Sequence, residues 1–197
     1  MSWEALLEEL LRGLVHSMNN RVTALSAFAE LAAMDDEVPD TQMLRQEIKR
    51  LHGVSAMVGI LATRSEEREA LELSGVLETA LGIHEHHTRS RTITCRVEKS
   101  GMLLPVRVPR WALLRVLLLM VDAAKGAADA ARTASTIMEV AGDEAFVRVY
   151  GGAVHAPADD AVTYAKLCGG ELLADPRGQV LVLPSLLEVR RRERANT

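Results

Sequence analysis

Apolar residues recur at Trp3, Leu7, Leu10, Leu14, Met18, Val22, Leu25, Ala29 and Ala32, in steps of three and four. That period predicts one long helix, from about Ser2 to Met34, with a single apolar face. Each residue turns a helix by about 100°. His16 therefore stands roughly opposite that face, near Arg12, Asn19, Asn20 and Thr23. The run from Asp35 to Asp40, with Pro39 inside it, predicts a turn, and Asp40 an N-cap for the next helix. There Leu44, Ile48, Leu51, Ser55, Val58 and Ala62 alternate steps of four and three, the spacing of a coiled-coil seam, and Met57 and Leu61 widen it. The two helices predict a hairpin over residues 1–65. A hairpin alone leaves most of its apolar surface wet, so two copies are expected to pair as a homodimeric four-helix bundle.

The pattern changes after the charged junction Glu66-Glu67-Arg68-Glu69. Ser74 to Leu81 reads as a short helix, Thr92 to Val97 and Leu104 to Val108 as strands, and Pro109 to Ala131 as a helix that is very apolar in its first half. Ser135 to Val140 and Ala145 to Tyr150 read as a hairpin turning at Gly142-Asp143. Ala158 to Leu167 is helical and stops at Gly169-Gly170. Glu171 to Ala174 and Gln179 to Leu183 form a last hairpin around Pro176-Arg177-Gly178. The expected fold class is α+β, a helical hairpin followed by an α/β sandwich over residues 70–190, with helices on one face of a mostly antiparallel sheet. Residues 191–197 read as a tail.

Composition narrows the chemistry. Of the 197 residues 48% are hydrophobic but only 3% aromatic, so the core must be built from Leu, Val, Ala and Met. A net charge of −4 argues against a general nucleic-acid or anionic-membrane surface. The basic run Arg190-Arg191-Arg192-Glu193-Arg194 reads as a solvated tail. Cys95 and Cys168 form no framework spacing and read as buried thiols of a reducing cytoplasm. No signal peptide is visible. The strongly apolar run around Trp111 to Val121 is interrupted by Arg115 and is too short to span a bilayer. A soluble cytoplasmic protein is expected.

An exposed imidazole on a rigid helix is a competent nucleophile, and the chain around it has a recognisable form. His16-Ser17-Met18-Asn19-Asn20 resembles the phosphoacceptor box, of the form H-D-L-N-N, of bacterial sensor histidine kinases. Leu71 to Ala80 resembles the start of that family's ATP-binding domain. Leu118-Leu119-Met120-Val121-Asp122-Ala123-Ala124 resembles its N-box, often N-L-x-D-N-A, and Leu167-Cys168-Gly169-Gly170-Glu171-Leu172 the helix-to-strand turn near the domain's end. The resemblance covers nearly the whole chain, in the family's order. It implies a dimerisation and phosphotransfer hairpin followed by an ATP-binding-like layer.

The departures from the family pattern point one way. Ala123 stands where the N-box carries the Asn that holds Mg²⁺, and alanine offers a hard cation no oxygen. Leu119 replaces the earlier N-box Asn. Gly151, in Tyr150-Gly151-Gly152-Ala153-Val154, stands where the family's adenine-reading Asp is expected. Only Ala156 to Asp160 is left for a phosphate-cradling lid. Ser17 replaces the usual acid beside the histidine, and serine is a poor base. The resemblance therefore implies a histidine phosphotransferase that binds no cofactor. His16 would exchange a phosphoryl group with an aspartate of a response-regulator receiver domain, which would itself supply Mg²⁺. Asn20, in the position of an amide that can hold water for phosphatase chemistry, leaves a phosphatase-type or pseudokinase regulator as an alternative. A dimeric scaffold without chemistry at His16 is another.

Other histidines carry less. His84, His86 and His87 are the right residue types for zinc, but they fall near a predicted helix C-terminus, where solvated histidine is favoured. His52 flanks the second-helix seam, and His155 sits in the shortened lid region.

Overall fold

The computed structural model of the chain describes residues 1–34, 41–88, 92–152 and 155–195. In chain order the elements are α1 (Trp3–Met34), α2 (Thr41–Ala62), β1 (Arg68–Leu71), α3 (Leu73–His84), β2 (Thr94–Gly101), β3 (Val106–Pro109) and α4 (Arg110–Ala130). They continue with β4 (Ser135–Gly142), β5 (Phe146–Gly151), α5 (Asp159–Leu167), β6 (Glu171–Asp175), β7 (Gly178–Pro184) and α6 (Leu186–Ala195). The turn and N-cap expected at Asp35 to Asp40 lie outside the described residues.

The fold is α+β. A five-stranded sheet runs β2-β4-β5-β7-β6, with β2 parallel to β4 and every other pairing antiparallel. Alternate residues of its strands, such as Met138 and Val140 or Val147 and Val149, are buried beneath the helices. Helix α4 is the axle of this layer. Residues Trp111 to Val121 are buried on every side except at Arg115, as an all-round apolar helix must be. Strand β1 pairs with β3 where the sequence suggests only a charged junction. Helix α6 runs through residue 190 to Ala195, and Arg191 and Arg192 pair with Glu144 and Glu188. The expected tail is thus helical over most of its length.

Helices α1 and α2 pack together as a hairpin, but α1 does more. Its first half, with Trp3, Leu6, Leu10 and Leu14 buried, is rooted in the α/β layer. The Trp3 backbone N–H donates to Asp160 of α5 at 2.7 Å. The Trp3 ring meets Tyr164 edge-on, and Tyr164 meets Trp111 in the same way. The Arg115 guanidinium lies over all three rings, 4.7, 4.9 and 5.5 Å from their centroids. Half of the chain's few aromatics thus serve one junction. Gly13 is a second root. A Cβ there would lie 1.6 Å from the carbonyl oxygen of His86, so only glycine lets α1 approach the end of α3 this closely.

Beyond Leu14, α1 packs on α2 with Met18, Leu25 and Phe28 half-buried. The covered stripe of α2 is Leu44, Glu47, Leu51, Val54, Val58 and Leu61. It shares Leu44, Leu51 and Val58 with the expected seam but is rotated from it. Glu47 sits in this stripe because Arg21 of α1 bonds it at 2.9 Å, and with Arg50 holds its carboxyl below the usual range. The other half of the expected seam, including Ile48, is exposed, as are Val15 and Val22 of α1.

The β4–β5 turn is fixed by Asp143. Its carboxylate accepts the backbone N–H groups of Ala145 and Phe146 and pairs with Arg148, each at 2.8 Å. These contacts, Arg148 first, lower its pKa from 3.8 to about 2. A depressed carboxyl pKa stabilises the folded chain above its unfolded value, and that contribution fades as pH falls from near 4 towards 2. A side-chain carboxyl titration by NMR should place Asp143 near pH 2, and Arg148→Ala should move it upward.

Candidate functional site

His16 lies on α1 just past its rooted half, and its side chain is exposed. Asn20, one turn further on, is also exposed, and its amide nitrogen lies 3.2 Å from His16 Nε2. An amide nitrogen can only donate, so this contact places the imidazole lone pair on Nε2 and the proton on Nδ1. In that tautomer the Nε2 lone pair is taken up by the Asn20 amide. Ser17 is half-buried, and no carboxylate bonds the imidazole among the described residues. One turn back, Arg12 is paired with Glu8 and Glu9. His52 is exposed on α2, apart from this group.

The N-box-like segment of α4 lies elsewhere. Leu119, Asp122 and Ala123 line a cleft of about 400 Å³ with Gly126, Ala127, Ala130, His155, Ala156, Ala158, Ala161, Gln179 and Met1. Half of these residues are alanine, and none is a lysine or arginine. Among the described residues, a polyphosphate would meet no lysine or arginine there, and the one carboxylate, Asp122, has the wrong sign for it. Gln179 is buried and donates to the His155 carbonyl oxygen at 3.4 Å. Gly151 has φ +154, and a Cβ there would lie 2.9 Å from the buried Met138 side chain. An aspartate could not enter this position without moving Met138, so the missing acid is built into the packing. Residues 153 and 154 lie outside the described residues.

Asp122 is engaged from behind. Its Oδ1 lies 3.3 Å from Nε2 of His84 and 3.7 Å from Nε2 of His87, and the two imidazoles stack with centroids 4.9 Å apart. Both rings are buried, whereas the sequence places them as solvated residues at a helix end. The physical reason is α1, whose Gly13 lies over the end of α3 and excludes water from it. His86 is only half-buried. Among the described residues, no group of three or more His, Cys, Asp or Glu side chains is placed to hold a metal ion.

Both cysteines are free; Cys95 is half-buried and Cys168 fully buried, its thiol pushed up to about 12 by burial. Among the described residues, no helix is long and apolar enough to cross a membrane.

No protein-family model and no curated protein matches the sequence. Among solved structures, the chain is similar to the catalytic domain of the histidine kinase ThkA, at 16% identity and a TM-score of 0.46, over 60% of this chain and 98% of that one. It is similar to the Acinetobacter baumannii histidine kinase AdeS, at 14% identity and 0.45, over 87% and 98%. It is also similar to a bacterial phosphotransferase, at 15% identity and 0.42, over 92% and 97%. Likenesses this distant carry no residue's role to this chain.

Proposed function

We propose that the chain is a histidine phosphotransferase of a two-component phosphorelay. His16 exchanges a phosphoryl group with an aspartate of a response-regulator receiver domain, and ATP takes no part. The observation that carries this reading is the contrast between two places. An exposed imidazole stands on α1, while the cleft beside α4 has no lysine or arginine among its described lining residues and no N-box amide at Ala123. The rooting of α1 supports the same reading. Met1 lines the cleft and His16 stands 13 residues beyond Trp3, roughly 20 Å along the helix. Bringing the two together would strip Trp3, Leu6, Leu10 and Leu14 from the core.

Transfer from an aspartyl phosphate asks little of the histidine protein. The transition state is loose, so positioning and charge neutralisation dominate. In this reading the receiver brings Mg²⁺ and the acyl phosphate, and the chain brings a nucleophile on a fixed rod. The phosphoryl group leaves the aspartate oxygen, which keeps the electron pair, and bonds to Nε2 of His16. Incubation with receiver domains phosphorylated by a small acyl phosphate should move label onto the chain in acid-labile form. A broad receiver panel that yields no such label would remove the proposal.

The contact between Asn20 and His16 supports a second reading, in which Asn20 holds water against a receiver's aspartyl phosphate and His16 stays unmodified. In either reading the chain works as a homodimer. Val15 and Val22, each about half exposed, stand two turns apart on α1, and Ile48 is exposed on α2, residues that a second copy of the hairpin would cover in a four-helix bundle. Sedimentation at micromolar concentration should report a dimer, and a Val22→Glu variant a monomer. A wild-type monomer would exclude the bundle.

A further inference from the structure

We draw no further inference here: the strongest candidate, the apolar cavity of about 290 Å³ between the last two turns of α2 and the first turn of α4, lined by Ile60, Trp111 and Leu114, carries nothing, because nothing in the structure shows what covers it.

Discussion

His16→Ala should abolish labelling of the chain by a phosphorylated receiver domain and leave its melting temperature and oligomeric state unchanged. The imidazole is exposed and its one hydrogen bond among the described residues is to Asn20, so its loss should change stability by under about 0.5 kcal/mol. The chemical loss should be complete, because no other described histidine shares its setting. His84 and His87 are buried against Asp122, and His52 sits on the other helix. Asn20→Ala separates the two readings. If His16 is the acceptor, Asn20 only biases its tautomer through an exposed contact, and transfer should fall mildly. If the activity is receiver dephosphorylation, Asn20→Ala should be the severe variant and His16→Ala the milder one. Transfer that persists in His16→Ala would point to His52 instead.

Gly13→Ala should have the largest effect on stability. A methyl group there would lie 1.6 Å from a backbone carbonyl oxygen, which cannot rotate out of the way as a side chain could. Either α1 lifts from α3 or the turn after α3 moves, and both expose buried surface around Leu10, Leu14 and His84. Overpacking of this kind costs about 3 kcal/mol, against a gain of up to about 1 kcal/mol from replacing a mid-helix glycine. Chemical denaturation should show a net loss of about 2 kcal/mol or more. A Gly13→Ala chain as stable as the parent would mean that α1 is not held against α3.

Much of the fold is legible in local pattern, and what is missed depends on partners distant in sequence. The long α1 shows in its three-and-four spacing, and α4 in a run too apolar to face water. The hairpins betray themselves through Gly142-Asp143 and Pro176-Arg177-Gly178. Strand β1 is hidden because Arg68, Glu69, Ala70 and Leu71 look like a charged linker until β3 pairs with them. Helix α6 is hidden in the same way by its arginines, whose acidic partners include Glu144. The stripe of α2 is misplaced by a fraction of a turn because Glu47 reads as a surface residue, whereas Arg21 draws it into the seam.

The candidate site divides similarly. His16 stands out because a single imidazole opposite an apolar face can be found from helical phase alone. Leu119 and Ala123 are recognisable as departures from an N-box, and both fall on one cleft with Gln179, which carries no sequence signal. The burial of His84 and His87 is not readable locally, since it depends on α1 lying across the end of α3. One signal for that contact was available. Gly13 interrupts a strong helical pattern with no turn beside it, and such a glycine usually marks a close approach.

The most direct measurement is labelling of the purified chain with γ-³²P-ATP and Mg²⁺, without any receiver. A cleft whose described lining has no lysine, no arginine and no amide at Ala123, and a His16 on a helix rooted in the α/β layer, predict no acid-labile label over hours at millimolar nucleotide. Phosphohistidine at His16 formed from ATP alone would contradict the account and make the chain a kinase.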